Sequence, residues 1–200
     1  MLPQLLIVSA TFAPAAPPEV APPPRAKGLA VTPEVAAKLS AIAFQAARED
    51  DRETLAAYFA AGRPVNEPNA RGDTLLTVAA YNAQEGAVEL ILAQPKVEVD
   101  ARNKMGLTAL SAAAFKGHVG IAKKLVAAKA DVNAVSGSGR TALMFASLAG
   151  RTEMVEYLLA AGADPRAADR AGSTALSLAR GQGADAVVRR LEAAPPPRKP

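Results

Sequence analysis

Small and apolar residues recur along this chain in short, helix-length phrases, and the phrases return every 33 or 34 residues. Thr74, Thr108, Thr141 and Thr174 stand 34, 33 and 33 residues apart. Each opens the same kind of run, as in Thr74-Leu75-Leu76-Thr77-Val78-Ala79-Ala80 and Thr108-Ala109-Leu110-Ser111-Ala112-Ala113-Ala114. A threonine ahead of such a run predicts an N-cap, its hydroxyl accepting from a backbone N–H that the first helical turn leaves unpaired. Glycine two residues earlier, at Gly72, Gly106, Gly139 and Gly172, predicts a tight turn with positive φ. Gly117, Gly150 and Gly183 fall nine residues after their threonines and mark the turn between helices. Apolar pairs follow, Leu125/Val126 and Leu158/Leu159, and then turn sequences such as Ala130-Asp131-Val132-Asn133 and Gly162-Ala163-Asp164-Pro165. The predicted unit is a capped helix, a turn, a second helix and a swing into the next copy.

A fixed period near 33 marks stacked supersecondary units in place of one globular core. Alanine pairs let two antiparallel helices approach closely, while Val155, Leu158 and Leu159 are spaced to bury against the neighbouring unit. Units this thin do not fold alone. A fifth, divergent unit precedes the four: Ala46-Ala47, Leu55, Tyr58-Phe59, Ala61-Gly62 and Val65-Asn66 fit the same skeleton. Its segment Arg48-Glu49-Asp50-Asp51-Arg52-Glu53 is strongly charged, and a polar outer face is expected of a cap. At the other end Arg180, Arg189, Arg190 and Glu192 replace apolar or small residues, Glu192 standing where Val126 and Leu159 stand earlier. That end reads as the second cap, and five units exceed the minimum of about three that bury a continuous core.

These residues resemble the ankyrin repeat, whose pattern runs roughly G-x-T-P-L-H-x-A-A-x-x-G-H, then V-x-x-L-L-x-x-G-A-D-x-N. The resemblance extends from Ser40 to Ala194 and implies an all-α fold, an ankyrin-repeat solenoid of about five helix-turn-helix units with capping end repeats. The array is expected over 34–194, with units at about 34–68, 69–101, 102–134, 135–167 and 168–194. The chain departs from the family pattern in two rows. Leu75, Ala109, Ala142 and Ala175 replace the proline after threonine, and Thr77, Ser111, Met144 and Ser177 replace the helix histidine. Weaker local rigidity and weaker inter-unit hydrogen bonding are expected from both. Unit two carries one extra residue around Gln94-Pro95-Lys96, where proline ends the helix and a bulged outer loop should follow.

Composition changes this picture little. Half of the 200 residues are hydrophobic but only 4% are aromatic, which suits stacked small side chains better than a ring-built core. The 23 basic and 19 acidic residues are interspersed, so the formal charge of +4 biases the chain only weakly toward acidic partners. Disulfide and thiol chemistry are excluded because there is no cysteine. The apolar run Leu5-Leu6-Ile7-Val8-Ser9-Ala10-Thr11-Phe12-Ala13 falls short of the ~20 residues that span a bilayer. With small residues at Ala13 and Ala15 it fits a signal peptide over 1–15, ahead of a proline- and alanine-rich linker over 16–33. A periplasmic or secreted protein is expected on that reading, of bacterial origin by its Ala- and Arg-rich composition, with no stable membrane span. No Lys or Arg precedes the run and Pro17-Pro18 lie close to the cut, so a cytoplasmic chain with a disordered or mis-started N-terminus is the alternative. Pro195-Pro196-Pro197-Arg198-Lys199-Pro200 reads as a solvated tail.

No constellation for catalysis stands out. His118 is the single histidine and falls in the turn between helices, where a structural hydrogen bond is the better reading. The acids of Glu49-Asp50-Asp51-Arg52-Glu53 alternate with cations and read as a solvated turn, not a metal site. Gly137-Ser138-Gly139-Arg140 lacks the strand, lysine and spacing of a phosphate loop. Hence the reading is no enzyme, no cofactor and no metal. A nucleic-acid binder is disfavoured too, since no basic helix or aromatic stacking platform is present.

Recognition remains. The resemblance implies that a partner protein docks on the concave face formed by turn tips and first helices. Seven residues past each threonine lie Tyr81, Phe115 and Leu148, three apolar neighbours that form a candidate hot-spot stripe. Buried aromatic anchors contribute about 2 kcal/mol or more each at interfaces. The alternative is that the rings pack between units. Arg71, Lys104, Arg140 and Arg170 lie one per unit at the turn tips, placed to steer an acidic partner toward the stripe. A monomeric scaffold binding one protein is the expected function. A regulatory or inhibitory domain acting on an enzyme or host protein is the alternative.

Overall fold

The computed structural model describes residues 32–194. The expected signal peptide over 1–15, all of the linker but its last two residues, and the tail over 195–200 therefore lie outside the described residues. Among the described residues ten helices run in chain order: α1 Pro33–Glu49, α2 Arg52–Ala60, α3 Leu75–Tyr81, α4 Glu85–Leu92, α5 Ala109–Lys116, α6 Val119–Ala127, α7 Ala142–Leu148, α8 Thr152–Ala160, α9 Ala175–Gly181 and α10 Asp185–Glu192. They form two layers. In the inner layer α1, α3, α5, α7 and α9 pack each on the next, and in the outer layer α2, α4, α6, α8 and α10 do the same. No β-strand is found among the described residues, only an isolated bridge between Ala168 and Thr174. The result is an all-α stack of helical hairpins.

The four threonines cap the inner helices from extended backbone. Thr74 Oγ1 accepts from Thr77 N at 3.2 Å, Thr108 from Ser111 N at 3.2 Å, Thr141 from Met144 N at 3.4 Å and Thr174 from Ser177 N at 3.2 Å. At the far end each inner helix closes on one left-handed residue, followed by an N–H that reaches back five residues: Gln84 to Ala79, His118 to Ala113, Arg151 to Ala146 and Ala184 to Ala179. Glycine fills that residue at 117, 150 and 183, but unit two places Ala83 there with φ +64° and unit one places Asp50 with φ +59°. Asp50 turns this to use. Its carboxylate accepts from Ala87 N at 2.5 Å, serving the N-terminus of α4, which has no side-chain cap of its own.

Packing outweighs the caps. Ala79, Ala80, Ala113, Ala114 and Ala146 are fully buried where inner helices meet, and Val88, Ile91, Leu125, Val155 and Leu158 are fully buried on the outer ones. Each large aliphatic side chain buried this way contributes about 1.5–3 kcal/mol, against about 0.5–2 kcal/mol for one cap. Helices of seven to nine residues depend on that burial, because isolated helices shorter than about 12 residues are marginal in water.

The first inner helix starts two turns before Ser40, the position equivalent to Thr74. Thr32 Oγ1 accepts from Val35 N at 3.4 Å and Pro33 occupies the first turn. The reason is local: Lys38 stands where the other units have the turn glycine, so nothing breaks the helix there. The longer α1 leaves Val35 and Ile42 exposed among the polar residues Glu34, Lys38 and Gln45, beside the charged segment between α1 and α2. Inter-unit hydrogen bonding is abundant in spite of the missing histidine row. Asn66, for example, donates to Lys96 O at 2.8 Å and accepts from Glu98 N at 3.0 Å, as Asn133 does with Gly162 O and Asp164 N. The extra residue of unit two is absorbed just before this clamp, with Lys96 in the left-handed region. At the C-terminal end Arg180 and Glu192 pair at 2.6 Å on the exposed surface.

Ala83→Gly is expected to raise the urea midpoint by the equivalent of about 1 kcal/mol, since left-handed backbone is strained for a residue with a Cβ. Gly106→Ala should lower it sharply. At φ +75° its Cβ would stand 2.3 Å from Gly137 N, in the backbone of the next unit.

Candidate binding groove

The inner helices α3, α5, α7 and α9 are each preceded by a turn that one polar side chain organises. Asn69 Oδ1 accepts from Arg71 N and Asp73 N, Asn103 Oδ1 from Met105 N and Leu107 N, and Asp169 Oδ1 from Ala171 N and Ser173 N, all at 2.8–3.0 Å. Ser136 Oγ accepts from Arg140 N at 3.1 Å in the remaining turn. Successive turns are then tied through backbone. Lys104 N donates to Arg71 O at 3.1 Å, Gly137 N to Met105 O at 2.8 Å and Arg170 N to Ser138 O at 3.0 Å. Two side-chain bonds strengthen the ladder: Asn103 Nδ2 donates to Asp73 Oδ1 at 2.7 Å, and Arg140 Nε donates to Asp169 Oδ2 at 3.0 Å.

Between these turns and the exposed faces of α3, α5 and α7 lies a groove of about 430 Å³. Tyr81, Phe115 and Leu148 line it together with Arg71, so four of the seven residues expected from the sequence are brought to one place. Tyr81 and Phe115 keep 45% and 40% of their surface in solvent, so the rings are not sealed between units. Lys116 Nζ lies 5.0 Å from the centre of the Tyr81 ring. Sequence reasoning missed Val78, Ala112 and Phe145, which stand three residues before the stripe and share its helix face. It also missed Met105, a turn-tip residue that is 64% exposed, and Leu107 beside it. The three-residue spacing was the available signal for the helix positions; for Met105 there was none, because that tip position holds Arg71, Ser138 and Ala171 in the other units and carries no large apolar side chain there.

The four basic residues differ in their surroundings. Arg71 is on the groove wall, its Nε bonded to Asp73 Oδ2 at 3.0 Å and its side chain 74% exposed. Lys104 and Arg170 are exposed and lie outside the lining, with no ion pair among the described residues. Their stems cross the turn glycine of the preceding unit; a Cβ on Gly72 would meet Lys104 Cγ at 3.2 Å, and one on Gly139 would meet Arg170 Cγ at 3.3 Å. Arg140 is mostly buried and joins units four and five through Asp169. It is a structural tie more than a steering charge. His118 sits half-buried at the start of α6, where burial pushes its imidazole below the usual range against the raising effect of the Tyr81 carbonyl. No helix among the described residues is long and apolar enough to cross a membrane.

The chain matches a family model of ankyrin repeats in three copies over residues 43–136 and another of ankyrin repeats in many copies over residues 125–179. The first match begins inside α1, so the two extra N-terminal turns of that helix lie outside the family pattern. The chain is also similar to ankyrin repeat and SOCS box protein 2 of Bos taurus, 34% identical over 85 residues. That stretch is 42% of this chain and 13% of the relative, so the similarity covers a small part of the longer protein.

The turn ladder makes a pH dependence. The Asp169 carboxyl is held below its usual range, first by the Ser173 N–H and then by the Arg140 guanidinium. Its stabilising contribution is complete above the ordinary value of 3.8 and is lost as pH falls through the lower folded value. Asp169→Asn is expected to lower the melting temperature near neutral pH and to shrink the drop seen on acidification to about pH 3, followed by circular dichroism. An unchanged drop would assign the acid sensitivity to other carboxylates.

Proposed function

Because the chain belongs to the ankyrin repeat family, whose arrays are generally protein–protein interaction modules and generally non-enzymatic, we propose that it is a non-enzymatic scaffold holding one partner protein on its inner-helix face. The observation that supports this reading is the groove itself. In a stack that buries nearly all of its large aliphatic side chains, Tyr81, Phe115 and Met105 stay exposed beside one another over about 430 Å³ of open space. Exposed aromatic and methionine side chains grouped on a rigid face are the composition of interface centres. The face is preorganised: short helices stacked through alanine, with turns locked to one another, have little freedom to lose on binding. A standard interface of about 1,600 Å² in total fits on one face of four or five units.

Tyr81→Ala and Phe115→Ala are each expected to weaken partner capture from extracts of the native host by about 1–2 kcal/mol, roughly 5- to 30-fold. The helical melt should move by no more than about 1 kcal/mol, since each ring is only partly buried. Glu153→Ala, on the exposed side of α8, serves as a control that leaves capture intact. Equal loss of melt and capture would assign the rings to packing and end the proposal.

A further inference from the structure

We infer that the groove takes a partner segment that carries carboxylates beside a bulky apolar side chain; this rests on the protein-binding reading above and names the chemistry of its partner. The first support is the shape and lining of the groove. Its volume of about 430 Å³ lies within the range of sites that enclose a discrete apolar group. Val78, Phe115, Phe145 and Leu148 supply apolar wall, while Arg71 and Asn103 stand at the turn side. An apolar anchor seats against the rings with its polar neighbours toward the turns.

The second support is the distribution of charge. In the turns that lead directly into the inner helices (69–74, 103–108, 136–141 and 169–174) and in α3, α5, α7 and α9 the basic residues are Arg71, Lys104, Lys116, Arg140, Arg170 and Arg180. The acids there are Asp73 and Asp169 alone, both buried and both bonded to an arginine of the fold. Of the remaining acids in these units, Glu85, Glu89, Glu153, Glu156, Asp185 and Glu192 lie on the outer helices, and Glu98, Asp100, Asp131 and Asp164 lie in the segments that follow α4, α6 and α8. A net charge of only +4 therefore conceals an excess of cations on the turns beside the groove and the inner helices, the side that meets an approaching chain. Arg71 contacts Asp73 through Nε and is otherwise largely exposed, which leaves its terminal nitrogens to receive a carboxylate in the two-point geometry that guanidinium favours.

The same charge argues against the chain's own ends as occupants. The segment 195–200 carries Arg198 and Lys199 and no acid, and residues 1–31 carry Arg25 and Lys27 against Glu19. A nucleic acid would satisfy the cations and leave the apolar wall of the groove uncovered.

Selection of a random peptide library on the full chain tests this. The enriched peptides are expected to carry Asp or Glu within a few residues of Phe, Trp, Leu or Ile. A representative synthetic peptide should bind about tenfold more weakly when its acids are replaced by their amides, when salt is raised, and in Arg71→Glu and Lys104→Glu. Lys104 has no ion pair among the described residues, so its variant keeps the test open if Arg71→Glu fails to fold. Peptides that bind through an apolar anchor, are lost in Phe115→Ala and are indifferent to acids, salt and both charge reversals would overturn the inference and leave the protein-binding groove standing. Peptides indifferent to Phe115→Ala and to the charge reversals alike would overturn both. A single-stranded oligonucleotide binding more tightly than every selected peptide, or no peptide enriched at all, would also overturn the inference.

Discussion

The close approach of one inner helix to the next is the contact on which this molecule depends. Helices of seven or eight residues, such as α3, α5 and α7, are too short to persist by themselves, and each is held by its neighbours in the row. Alanine makes the contact. Ala79-Ala80 and Ala113-Ala114 expose no surface, and Ser147, which takes the second alanine's place in unit four, satisfies its hydroxyl on Leu143 O at 2.7 Å. A larger side chain in this row would push units apart and unseat the turn ladder as well, because both contacts set the same separation.

That separation also makes the surface. When the alanines of an inner helix face the stack, the residues at Val78 and Tyr81, Ala112 and Phe115, Phe145 and Leu148 are carried to the opposite side. The stripe is therefore a consequence of the packing row next to it. The turns complete the groove through side chains fixed by neighbouring units, as Asn103 is by Asp73 of the unit before. The groove and the folding contacts are neighbours along the same helices.

Charge follows the same division between layers. The two acids of the inner face are drawn into the turns as acceptors for N–H groups and arginines, where desolvation would be costly without those partners. Outer-layer charges are paired across units on the exposed side, as when Lys124 reaches Glu85 at 2.7 Å and Glu89 at 3.2 Å. Such exposed pairs contribute little to stability.

What was legible in the sequence is what residues within one unit decide together. The period of 33 or 34, the threonine caps, the glycine turns and the alanine rows all act over a handful of neighbours, so spacing alone identified them. The stripe at Tyr81, Phe115 and Leu148 was legible as a row for the same reason. Whether its rings faced solvent or the next unit was settled only by the stacking distance, which no single unit carries. Arg140 and Lys104 look alike along the chain, yet one is bound to a buried aspartate 29 residues away and the other is not. The left-handed Ala83 and the absorbed residue before Lys96 were likewise imposed by their neighbours, since each unit must meet the next in register whatever its local preference. Local chemistry thus specified the repeating hairpin, and the contact between hairpins decided which of its side chains were left exposed along the groove.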